Sequence, residues 1–236
     1  MKNLYIIKTG STFTNTKMQF KDFEYWIIDH LENKNVKIID VQKGDKLPDT
    51  KDCDGIIITG SHSMVTEENI WSVKIEKWLK NIVAEDIHTL AICYGHQLLA
   101  KALDGVSDYH PKGIEIGTGI IELTDEAKED KLFSHLPKNF YAHTIHSQSA
   151  IKLPSGAIRV ASNPHDINHA FRIKNNIWGV QFHPEFDENS MASYIKEVSK
   201  NKGFDKKEEQ ELLNGVKATP HATSLLKRFE KLIYEG

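Results

Sequence analysis

Two short stretches carry side chains able to do nucleophilic chemistry. In "AICYGHQLLA", residues 91–100, an apolar run ends in Cys93, Gly95 follows two positions on, and a helix-like run begins. In "WGVQFHPEF", a second apolar run, over residues 177–182, ends in His183, with Glu185 two positions on. Strand, small residue, x, Cys, x, Gly, helix is the pattern of a nucleophile elbow, a sharp turn that exposes its central side chain. The N-terminus of a helix favours an anion, and the anion is the reactive form of a thiol. A thiol nucleophile needs a base, and the base needs an orienting group. Residues two apart on an extended backbone face the same side. Glu185 can therefore fix the imidazole tautomer of His183 while the other ring nitrogen faces Cys93. A buried inert thiol, a loop histidine and a solvated loop charge are the competing readings of these three residues. Each would suffice for its residue alone; their coincidence favours the triad.

Acyl chemistry also needs an oxyanion hole of backbone N–H donors. Tyr94, next after the thiol, supplies one. Gly60, in "IIITGSHSMV", can turn a second N–H inward with no Cβ in the way; its plainer reading is a turn glycine. The other cysteine, Cys53, lies between Asp52 and Asp54, whose charges disfavour a thiolate.

These residues must be held by strands that end together. "NLYIIKTG", "NVKIIDV", "CDGIIITGSHS" and "HTLAIC" read as four strands. Helical spacing runs between them: Phe20, Phe23, Trp26, Ile27, His30 and Leu31 within one helix over 19–33, then Ile70 to Val83, then "GHQLLAKAL". Alternating strands and helices predict an open, mainly parallel sheet, whose chemistry gathers at the carboxyl ends of its strands. From about residue 106, "GIEIGTGIIEL", "GAIRVASN", "NHAFRIK" and "NIWGVQF" predict a mixed or antiparallel extension. The spacing predicts a domain over 1–186 and a helical C-terminal extension, 187–236, packed on it. In that tail Asp205 and Glu208 form a capping box, Thr219 and Pro220 an N-cap and N1 pair, and Leu225, Leu226, Phe229, Leu232 and Ile233 an apolar stripe.

A net charge of -3 over 236 residues gives no basic excess for nucleic acid. No apolar run approaches the roughly 18 residues of a membrane span, and the apolar run at the N-terminus is too short for a signal peptide. Two cysteines form no disulfide framework, which suits a reducing cytoplasm.

"CYGHQ" followed about 90 residues later by "VQFHPE" resembles the class I, or triad, glutamine amidotransferases, over roughly residues 1–186. The resemblance implies a flavodoxin-like α/β fold and no cofactor or metal. It implies Cys93 as nucleophile, His183 as base, Glu185 as orienter, and Gly60 and Tyr94 as oxyanion donors. Gln97 looks like the family's contact to the amino-acid end of the substrate. "HSQS", with His146, Ser147 and Gln148, resembles the loop beside that end. "GIEIG", 113–117, resembles the glycine and acidic segment after the third helix. The chain departs from the family pattern in having Thr59-Gly60-Ser61 for Gly-Gly-Pro, Ala91 for glycine, and Gln148 for an acid. It is most similar to free-standing, GMP-synthase-like members. The implied substrate is a small molecule, and the implied reaction is hydrolysis of the glutamine γ-carboxamide through a γ-glutamyl thioester, giving glutamate and ammonia. A separate synthase would then take the ammonia. The alternative is a γ-glutamyl peptidase; a non-catalytic regulatory subunit is disfavoured because all three triad residues are present.

Overall fold

The computed structural model describes residues 2–235. Nine strands form one sheet, in the order β2 (Lys37–Asp40), β1 (Leu4–Lys8), β3 (Gly55–Ile58), β4 (His88–Ile92), β11 (Ile177–Val180), β10 (Ala170–Ile173), β9 (Ile158–Ser162), β6 (Glu115–Leu123) and β7 (Asn139–His146). The first five are parallel, and from β11 onward the pairing is antiparallel. A separate antiparallel pair joins β5 (Val106–Tyr109) to β8 (Gln148–Lys152).

Side chains alternate across the central strands. Leu4, Ile6, Ile57, Leu90, Ile92, Trp178 and Val180 belong to one core, covered by α2 (Phe23–Asp29) and α7 (Pro220–Glu235). Tyr5, Ile7, Ile56, Ile58 and Ala91 face the other, covered by α3 (Ile70–Ala84) and α4 (Tyr94–Ala102). Period-2 alternation with apolar residues at every position is what burial on both faces requires. The α7 stripe inserts Leu225, Leu226, Phe229 and Ile233 into the first core, whereas Leu232 is only partly buried. Glu230 accepts the N–H groups of Glu32 and Asn33 at 2.6 and 2.7 Å, tying the tail to the chain just after α2.

Two sequence expectations differ. The helix expected over 19–33 is broken: α1 (Thr14–Phe20) stops, Lys21 takes a left-handed φ of 69°, and α2 restarts after Asp22. Asp22 must leave helical geometry because its carboxylate caps α2 at Phe23 N–H, accepts from Thr12 N–H and pairs with Lys8 Nζ at 2.7 Å. The mixed extension also contains β7 and β8, which were not foreseen in "NFYAHTIHSQSAIK". The remaining tail helices are α5 (Glu188–Lys202), entered through an Asp187–Ser190 capping box, and α6 (Lys206–Asn214), entered through the expected Asp205–Glu208 box.

Candidate active site

Strands β3, β4 and β11 are adjacent, parallel and in register, with Ile58 beside Ala91 and Ile92 beside Val180. Their carboxyl ends therefore deliver Gly60, Cys93 and His183 to one edge of the sheet. The ladder continues one step further, as Cys93 N–H donates to Val180 O at 2.8 Å.

Cys93 sits at the elbow with φ 49° and ψ −98°. A non-glycine residue held there costs on the order of 1–3 kcal/mol, strain that clusters at functional sites. Gly95 permits the turn: a Cβ there would lie 3.0 Å from Ile58 Cβ and Ile58 O, so the helix packs against β3 with no room for a side chain. The Cys93 sulfur is buried and points to Ile145 O at 3.6 Å, at the end of β7. Cys53 is also buried, and burial followed by Asp52, Asp49 and Asp54 pushes its thiol up to about 12.

His183 Nδ1 and Glu185 Oε1 are 2.8 Å apart, and both residues are almost wholly buried. An ionised carboxylate only accepts, so Nδ1 carries a proton in either charge state of the ring, and Nε2 is the nitrogen left to exchange a proton with the thiol. Nε2 has no hydrogen-bond partner. Burial alone would lower the imidazole pKa, but the Glu185 and Cys93 charges outweigh it and hold His183 above its ordinary value. The thiol points to Ile145 O, and catalytic contacts of this kind commonly tighten when substrate binds.

A Cβ at Gly60 would lie 3.0 Å from His183 Cε1 and 3.7 Å from Cys93 Cβ, so only glycine fits between these residues. The Thr59 carbonyl, on the same peptide as the Gly60 N–H, accepts from Thr9 Oγ1 at 2.9 Å; Thr9 N–H in turn donates to Thr59 Oγ1 at 3.0 Å. Because the peptide is trans, this turns the Gly60 N–H the opposite way. Tyr94 begins α4, so its N–H has no intrahelical acceptor. Its phenol donates to Ser72 Oγ at 2.7 Å, which anchors the side chain in α3.

Gln97, His146, Ser147 and Gln148 line the same cavity as Cys93 and His183, whose volume is about 240 Å³. Gln97 spends both amide hydrogens on Gln148 O (2.7 Å) and Gln181 Oε1 (3.1 Å), which leaves its Oε1 as an acceptor suited to an ammonium group. Ser147 is half-buried on the wall. His146 and Gln148 are committed within the protein. His146 meets Gln148 O at 3.0 Å and Glu115 Oε2 at 2.8 Å. Gln148 accepts from Val65 N–H at 2.9 Å and donates to Thr66 Oγ1 at 2.6 Å. They shape the wall and hold the 65–66 loop rather than offering free polar atoms.

Sequence reasoning missed three parts of this site. The Thr9–Thr59 lock joins residues 50 apart. Glu115 bridges His146 and His169, at 2.8 and 3.0 Å, and the donor atoms of these three all lie within 4.8 Å of one another. That is the spacing of a metal tripod, although here both histidines bond to the Glu115 carboxylate. Tyr194 and Val198 of α5 line the cavity from beyond residue 186. The glycine-and-acid segment "GIEIG" was the one available pointer to Glu115.

The family model "Glutamine amidotransferase class-I" matches residues 19–200, running past Phe186 into α5. Gamma-glutamyl peptidase 4 of Arabidopsis thaliana is 28% identical over 65% of this chain, which spans 63% of that protein's length. GMP synthase [glutamine-hydrolyzing] of Thermosipho africanus is 32% identical over 61% of this chain and only 28% of that protein. The crystal structure of a glutamine amidotransferase from Thermotoga maritima superposes with a TM-score of 0.78 at 21% identity, covering 100% of both chains, a likeness of fold. Among the described residues no helix is long and apolar enough to cross a membrane. On the extent of the family match, the chain belongs to the class I glutamine amidotransferases.

Proposed function

We propose that the chain is a thiol amidase acting on γ-glutamyl amides through Cys93, His183 and Glu185. The observation that carries this reading is the 2.8 Å pairing of Glu185 with His183 Nδ1, which leaves Nε2 unpartnered beside the elbow thiol. The Cys93 thiol gives its proton to His183 Nε2 as its sulfur attacks the γ-carbonyl carbon, and the oxyanion is received by the Gly60 and Tyr94 N–H groups. The C–N bond breaks as the leaving amine takes a proton from His183 Nε2. Water then attacks the thioester carbon, giving its proton to Nε2, and the C–S bond breaks to release glutamate. Gln97 Oε1 receives the substrate ammonium. His146, Ser147 and Gln148 shape the amino-acid end.

With glutamine as substrate the leaving amine is ammonia, and a synthase partner would consume it, as the GMP synthase relative suggests. The peptidase version has its own support. The cavity runs past Cys93 and His183 to Tyr194, Val198 and Lys202 of α5, which gives space on that side for a leaving group larger than ammonia. The relatives named gamma-glutamyl peptidase agree with it. The test is release of glutamate from glutamine and from γ-glutamyl dipeptides by wild type and Cys93→Ala. Loss of all release in Cys93→Ala is expected; retained release would contradict the proposal.

A further inference from the structure

Helix α5 contributes Tyr194, Val198, Asn201 and Lys202 to the lining of the cavity. His183 Nε2 protonates the leaving nitrogen, so that nitrogen leaves on the His183 side. From His183 a file of aromatic rings runs outward, with centroid separations of 4.3 Å to Phe186, 5.0 Å on to Tyr194, 5.0 Å on to Phe13 and 4.3 Å on to His62. Tyr194 OH and His62 Nε2 are 3.0 Å apart, so the phenol spends its polar atom within this wall. Phe13, Tyr194 and Val198 present apolar surface to the cavity, and Asn201 and Lys202 stand at its rim.

The spacing on α5 is regular. Tyr194, Val198 and Lys202 follow at i, i+4 and i+8 and so share one face. They rise about 6 Å per step, from apolar at the catalytic end to cationic at the solvent end. Helical side chains lean toward the N-terminus of their helix, which directs Lys202 toward the Val198 side of the rim. Lys202 itself is exposed. An apolar wall followed by a single cation matches an apolar amino-acid residue that ends in a carboxylate.

We infer that this face of α5 is a leaving-group subsite. It selects γ-glutamyl peptides whose residue after the isopeptide bond is apolar and whose C-terminal carboxylate, carried by that residue, meets Lys202. The inference rests on the thiol-amidase reading and narrows its substrate. The nitrogen that takes the His183 proton is then the α-amino group of that apolar residue, and water completes hydrolysis of the thioester as before.

The test compares kcat/KM of the full chain for glutamine, γ-Glu-Gly, γ-Glu-Leu and γ-glutamyl isoamylamide. The amide is γ-Glu-Leu without its carboxylate. γ-Glu-Leu should exceed γ-Glu-Gly and glutamine by about tenfold or more, the scale on which a filled apolar pocket discriminates. In Lys202→Glu the ratio of γ-Glu-Leu to the isoamylamide should fall about fivefold, the upper range of an exposed ion pair. In Val198→Phe, which narrows the cavity, the ratio of γ-Glu-Leu to glutamine should fall. Glutamine turned over as well as γ-Glu-Leu would overturn the subsite. An unmoved ratio in Lys202→Glu would overturn the carboxylate contact. A γ-diazoketone analogue of glutamine separates the two levels. If it labels Cys93 and glutamine alone is hydrolysed, the subsite falls and the amidase reading stands. If it labels nothing and no substrate turns over, both fall.

Discussion

Thr9 Oγ1 lies 2.9 Å from the carbonyl oxygen of Thr59, and so sets the direction of the Gly60 N–H on the far side of the same peptide. Both threonines are wholly buried. The family pattern places glycine where Thr59 stands, so in this chain a side-chain lock takes the place of a bare turn. Losing one oxyanion donor outright costs about 10²–10³ in rate. Thr9→Val removes only the hydroxyl that aims the donor, and kcat should fall about tenfold with little change in KM. Thr9→Ser, which restores the hydroxyl, should recover most of the loss. An equal fall in both variants would mean that Thr9 matters only for packing.

Of the two thiols, only Cys93 should be essential. Cys93→Ala should abolish hydrolysis with circular dichroism and melting temperature close to wild type, because alanine removes the sulfur and little else. Cys53→Ala should keep near-wild-type turnover, since burial and its acidic neighbours hold that thiol at about 12. Steady-state assays of the two purified variants decide the matter.

His183→Ala should cost more activity than Glu185→Gln. The imidazole moves the proton in both half-reactions, whereas the carboxylate fixes the tautomer and supports the imidazolium. Loss of the orienter in comparable triads is milder by about one to two orders of magnitude. A kcat for Glu185→Gln at or below that of His183→Ala would reverse these roles.

Below the site, Lys8 joins Asp22 and Glu24 in a buried ion cluster, each contact 2.7 Å. Burial disfavours the Asp22 carboxylate, but hydrogen bonds from Lys17, Lys8 and the Thr12 N–H outweigh it and hold its pKa well below the ordinary carboxylate range. A folded pKa below the unfolded one gives stability that is fully present above the unfolded value, about 3.9, and is lost as pH falls through the folded value. Asp22→Asn should therefore destabilise the protein at pH 7, by about 3 kcal/mol for a broken buried pair. The gap to wild type should narrow as pH falls from 5 to 2. Denaturant unfolding at several pH values measures it; a gap that widens toward acid would contradict the pairing.

Cys93, His183, Glu185 and Gly60 were legible because each lies just past an apolar run, and the ends of parallel strands gather at one edge whatever the details of packing. The break between α1 and α2 was hidden because its cause is tertiary: Asp22 is drawn out of the helix by Lys8, fourteen residues earlier. β7 was hidden because "NFYAHTIH" buries His143 and Thr144, polar residues that mask the strand pattern. The α5 row, Tyr194 and Val198, could be read as a helical face, but nothing in its spacing says that it faces a cavity whose other walls come from segments as distant as Phe13, Cys93 and His146. Thr9 offered no signal, since a threonine after a strand is ordinary until its partner is seen.

The most direct measurement is acid-quenched mass spectrometry of the enzyme in steady state with a γ-glutamyl substrate, followed by peptide mapping. A γ-glutamyl adduct should be found on the peptide that contains Cys93 and should be absent from Cys93→Ala, which should also be inactive. An adduct on Cys53, or turnover that persists in Cys93→Ala, would contradict the thioester at the elbow.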